Sequence, residues 1–88
     1  MSERRHEPLL PGFAEMAARR RALARELTQR RIDLGLTQTE VAARMGTSQS
    51  AVARLEAGQG DVRMSTIERY AAAVGHVVQW RLEGDHDT

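Results

Sequence analysis

The chain contains no cysteine, which excludes disulfides and thiolate metal sites as sources of stability. That absence fits a reducing compartment. Lysine is missing as well, so all thirteen basic residues are arginine. The planar guanidinium suits phosphate and base edges, although genomic base composition would account for the missing lysine equally well. No apolar run approaches the roughly 20 residues that cross a bilayer. The opening MSERRHEPLLPG has no apolar core of a secretory signal. A cytoplasmic protein without a membrane partner is expected. Phosphate loops and nucleophile motifs are also missing. His6, His76 and His86 lie near the chain ends, none set beside a predicted pocket, and the consecutive Asp85-His86-Asp87 cannot enclose a metal. Neither catalysis nor a cofactor nor a metal is expected.

With 88 residues the chain makes one small domain, whose core is marginal unless a partner adds to it. The formal net charge of +1 hides a gradient. Residues 1–31 hold eight Arg against four Glu, residues 32–60 two Arg against three acids, and residues 61–88 three Arg against five acids. A basic start and an acidic end suggest nucleic-acid contact, with Arg30 and Arg19 to Arg21 adding long-range attraction that salt weakens.

Residues 1–12, broken by Pro8 and Pro11-Gly12, read as a flexible arm. Strong helix formers fill 13–34, with Leu23, Leu27 and Leu34 as an apolar stripe; whether this is one helix or two stays open. Thr37-Gln-Thr-Glu40 is a capping box that starts a second helix with Val41, Ala42 and Met45 inward, ended by Gly46. Thr47 or Ser48 caps a third helix with Val52 and Leu55 inward and Gly58 beyond its end. Ser65-Thr-Ile-Glu68 is another capping box, opening a fourth helix that runs through Val74 to Gly75. In HVVQWRLE, at 76–83, Val78, Trp80 and Leu82 alternate onto one face of a predicted strand. The domain is thus expected at 13–75, a dimerisation strand at 76–84 and a polar tail at 85–88.

Residues 38–57 carry the spacing of interest: Ala42 where two helices approach closely, Gly46 at the turn, Val52 and Leu55 to lock the third helix. With Val52 at zero on a helical wheel, Ser50, Arg54 and Ala57 fall at about 160°, −160° and 140°, a small or polar outer side with one long cation. Gln pairs with adenine, Arg with guanine and Ser with either in the major groove. Gln49, Ser50 and Arg54 are therefore the expected base readers, and Ser48 either caps or reaches the groove edge. The free N–H groups at the start of the second helix favour a phosphate, with Thr37 and Gln38 adding hydrogen bonds and Arg44 as a further candidate.

Two charges sit where apolar residues belong. Glu56 falls at about 40° on the same wheel, and Arg31 lies in the stripe of Leu27 and Leu34. Burying either alone is costly, so opposite charges point to a structural pair.

The stretch RRIDLGLTQTEVAARMGTSQSAVARLEAG, at 30–58, resembles the Xre-like helix-turn-helix proteins of the Cro and cI phage-repressor type. The resemblance implies an all-α, lambda-repressor-like domain of about four helices that binds operator DNA, usually as a dimer. It also implies a phosphate contact at Gln38 and a bridge from Arg31 to Glu56. A lone strand needs a ladder partner, so antiparallel pairing of two copies through Val78, Trp80 and Leu82 is expected; the alternative is a tail folded back on the fourth helix. GDVRMSTIERYAAAVGHVVQWRL, at 60–82, resembles HigA-type antitoxins, which implies repression of the protein's own operon and a partner RNase toxin. A lone regulator of another gene is the competing expectation.

Overall fold

The computed structural model describes residues 12–60 and 62–79. Its first element, α1 (Phe13–Asp33), is one uninterrupted helix of 21 residues. Alanine, arginine, glutamate and leucine give it enough intrinsic preference to form without a side-chain cap, since Gly12 offers none. Among the described side chains of α1, Ala24 and Leu27 are the buried ones, with Leu23 packed beside them. Leu34 departs from the expected stripe: it lies one residue past the helix end and is 57% exposed. The chain turns at Gly35, and Leu36 packs against the core instead.

Helix α2 (Gln38–Met45) starts on both halves of a capping box. The Glu40 N–H donates to Thr37 Oγ1 at 3.0 Å, and the Thr37 N–H donates to Glu40 Oε1 at 2.8 Å. Its end is set by Gly46 at φ 75°, where the Thr47 N–H reaches back to Ala42 O at 2.9 Å and the Gly46 N–H to Ala43 O at 3.2 Å. A left-handed residue is needed to close that loop, and glycine adopts it without a Cβ clash. Helix α3 (Gln49–Glu56) then begins on Ser48, whose Oγ accepts from the Ala51 N–H at 3.1 Å.

Helix α4 (Met64–Ala73) begins one residue before the predicted capping box, and its N-cap is Arg63 with no side-chain hydrogen bond. Ser65 is therefore inside the helix. Met64 and Val62 both pack against the core, and that burial sets the start of the helix more strongly than a serine cap does. Val74 is the C-cap, after which the His76 N–H bonds Ala71 O at 2.7 Å.

Helix α4 crosses both α1 and α2, while α3 packs on α2 and on α1. Ile67 and Tyr70 at the centre of α4 are wholly buried, against Val41, Ala42 and Met45 from α2 and Val52 and Leu55 from α3. Because Ala42 has only a methyl group, α2 and α3 can approach closely.

Residues 76–79 form no strand among the described residues. Val78 packs back against the core, beside a groove lined by Leu23, Leu27 and Ala71, while Val77 is 84% exposed. The described part of the predicted strand carries no ladder, and the apolar side of Val78 finds cover on its own domain. Trp80, Leu82, the arm at 1–11 and the tail at 85–88 lie outside the described residues. Among the described residues no helix is long and apolar enough to cross a membrane, and no group of three acidic, histidine or cysteine side chains could hold a metal.

Candidate nucleic-acid interface

The two sides of α3 have opposite character. Val52 and Leu55 are buried on its inner side, and Gln49, Ser50 and Arg54 are exposed on its outer side. Ser48 acts as the cap, and its Oγ also lies 3.3 Å from Ser50 Oγ. Arg54 makes no hydrogen bond among the described residues, so its five donors face solvent. An eight-residue helix is about 12 Å long, and its exposed flank is narrow enough for a major groove about 12 Å wide.

Behind that flank sits a largely buried hub. Arg31 Nε donates to Glu56 Oε2 at 2.7 Å and Arg31 Nη2 to Glu56 Oε1 at 3.0 Å, a two-pronged bridge between α1 and α3. The two side chains are 13% and 7% exposed. Arg31 Nη1 also holds Leu36 O at 2.8 Å, fixing the α1–α2 turn. Two further donors reach the same carboxylate: Gln38 Nε2 at 2.9 Å and the Tyr70 hydroxyl. Among the described residues no buried side-chain polar atom is left without a partner. Tyr70 was not singled out in the sequence, although a phenol one turn after Ile67 on the apolar side of α4 needs a buried acceptor.

This arrangement fixes the charges. Burial pushes the Glu56 carboxyl up, but the hydrogen bonds from Arg31, Tyr70 and Gln38 outweigh it and hold the group below the usual carboxylate range. Hydrogen bonding to Glu56 raises the Arg31 guanidinium, and burial with the Glu56 contact pushes the Tyr70 phenol up. On acidification the unfolded chain therefore takes a proton at Glu56 before the folded chain does. The stabilisation from this carboxylate is present above the ordinary carboxylate range and is lost as pH falls through the lowered folded value. Thermal midpoints followed from pH 7 to pH 3 should show this loss, and a Glu56→Gln variant should show a flatter acid limb. An identical acid limb in both proteins would remove Glu56 as its cause.

The hub also reaches the exposed flank. A carboxylate can only accept, so Gln38 must turn its NH₂ toward Glu56 and its oxygen away. That oxygen accepts from Gln49 Nε2 at 2.6 Å. Gln49 is thus held with its NH₂ inward along α3 and one N–H and its carbonyl oxygen still free. An adenine edge needs one acceptor and one donor. The direction of both amides follows from the charge of Glu56.

The expected phosphate group is spread more widely. Thr37 caps α2 and remains exposed, and Gln38 bridges the hub to Gln49. Arg44 Nη1 instead donates to Ala73 O at 2.8 Å, a cation on the carbonyl end of α4 where the helix dipole favours it. Local spacing could not reveal that contact, because α2 and α4 meet only through the tertiary fold.

The family profile described as "Helix-turn-helix domain" matches residues 22–77. Two curated relatives, both named Antitoxin HigA1, come from Mycobacterium tuberculosis strains CDC 1551 / Oshkosh and ATCC 25618 / H37Rv. Each is 38% identical over 77 residues, covering 88% of this chain and 52% of the relative. The chain therefore spans about half the length of the curated relatives it matches.

Proposed function

The chain belongs to the helix-turn-helix domain family, and from that premise we propose that it is a transcriptional regulator that reads operator DNA with α3. The observation that carries this reading is the outer flank of α3: exposed, polar, and tied to a buried hub through Gln38 and Gln49. Pre-set donors lose little freedom on binding, so more of each contact remains as affinity. Gln49, Ser50 and Arg54 read base edges. Thr37 and Gln38 hold the phosphate at the start of α2, where Gln38 keeps one N–H free. Arg44 spends one donor on Ala73 O and keeps four, so it stays a further phosphate candidate.

Titration of the whole chain on the DNA upstream of its own gene tests this reading. Affinity for that duplex should exceed affinity for a random duplex of equal length by roughly a thousandfold or more at physiological salt. Equal affinities would overturn it.

The second reading, an antitoxin that binds a toxin and represses its own operon, is favoured by the two relatives of that name. A stable complex with the product of an adjacent short reading frame would support it, and no complex would leave a lone regulator.

Repression by a dimer accounts for the segment after α4. Two copies place two reading helices about 34 Å apart, the spacing of successive major grooves. We assign the contact to 76–84, where Val78 packs on its own core, Val77 is exposed, and the sequence adds the apolar Trp80 and Leu82. The full chain should sediment as a dimer and a chain ending at Gly75 as a monomer. A dimer that survives the truncation would discard this segment as the interface.

A further inference from the structure

The arginines of α1 have no role in the hub apart from Arg31, and one of them reaches the far end of the reading helix. A Cβ placed on Gly58 would lie 3.7 Å from Arg21 Cδ, so the Arg21 stem covers the turn that follows α3. Arg21 as a residue is exposed to solvent. Arg54 and Arg63 line a cleft with Gln59 and Gly60 of the same turn and with Thr66. Arginines from three separate segments thus border the turn at 57–60.

The sequence of α1 offers Arg21 no acid to neutralise it. The positions three and four residues away on the helix are Ala17, Ala18, Ala24 and Arg25. Arg21 and Arg25 are like charges one turn apart, an arrangement that weakens a helix. The only carboxylate at the end of α3 among the described residues, Glu56, is already occupied by four donors. An anion from outside the chain would balance this charge. A recognition helix meets bases with its N-terminal residues, and α3 is about as long as the groove is wide. Its C-terminal turn therefore lies at the groove rim, where the phosphates run.

We propose that Arg21 contacts the DNA backbone directly, carried by α1 to the open end of the reading helix. This rests on the DNA-binding reading above and extends the footprint beyond α2 and α3. Such a contact carries no sequence information, so it adds equally to specific and random binding.

Salt titrations of the full chain on its upstream duplex and on a random duplex test the proposal. Arg21→Met keeps the aliphatic cover over Gly58 and removes the charge, while Arg21→Lys restores the charge. With Met, the slope of log K against log salt should become shallower by about 0.9. Affinity should fall several-fold on both duplexes at low salt, with an unchanged melting temperature. Lys should return the slope to the wild-type value. Arg69→Met, beside Arg44 on another cleft, removes the same charge elsewhere and should leave the slope unchanged.

A wild-type slope in Arg21→Met overturns the contact while the DNA reading stands. Equal losses in Arg21→Met and Arg69→Met reduce it to net charge and overturn it too. If the wild-type chain prefers neither duplex and shows no salt dependence, both the contact and the DNA reading fall together.

Discussion

Replacing Glu56 with alanine should destabilise the domain by roughly 3–5 kcal/mol. The loss is large because three groups are stranded at once: the Arg31 guanidinium, the Tyr70 hydroxyl and the Gln38 amide. Tyr70 has no exposed surface at which to recover a water partner. Against a total stability of about 5–15 kcal/mol for a native domain, this is enough to leave a substantial unfolded fraction near 37 °C. Urea unfolding measures it as a lower midpoint with an unchanged slope. A shift worth less than about 1 kcal/mol would mean that the bridge behaves as an exposed pair.

Most of that cost comes from the charge left behind rather than from attraction lost. Replacing Arg31 and Glu56 together with Met and Leu should therefore recover much of the stability. It should not recover specific DNA binding, since Gln38 would have no acceptor to orient it. The pair of measurements separates what holds the domain together from what aims Gln49.

Arg54→Ala should leave the melting temperature nearly unchanged, because the side chain is exposed and unbonded among the described residues. Its expected effect is on discrimination: about 1–3 kcal/mol, roughly a five- to 150-fold drop in the ratio of specific to random affinity. Loss should concentrate at one base pair of the site, which a set of single-base operator variants would locate. A uniform fall in affinity across all duplexes would instead place Arg54 on a phosphate. An unchanged ratio would take it out of base reading.

Local chemistry made much of this fold legible. The cap at Thr37 to Glu40, the turn at Gly46 and the inner faces of α2 and α3 each depend on residues within one or two turns of each other. Charge out of place was equally informative: Arg31 and Glu56 each interrupt an apolar sector, and the structure sets them 2.7 Å apart. Readings failed where distant packing decides. Leu34 follows the right period, but the helix ends before it and Leu36 takes the inner position. Ser65 carries a cap pattern, yet packing of Met64 moves the cap two residues earlier, to Arg63. The links from Tyr70 and Gln38 to Glu56 span 14 and 18 residues, and Arg44 to Ala73 spans 29. No periodicity encodes such partners.

The hub meets the outer flank of α3 at Gln49, through Gln38, so positions 50 and 54 owe nothing to it, whereas position 49 does. Duplicate copies of the gene could diverge toward new promoters by single changes at Ser50 or Arg54 and still fold. Changes at Gln49 would disturb Gln38 as well, and evolution toward new targets should leave that glutamine alone longest.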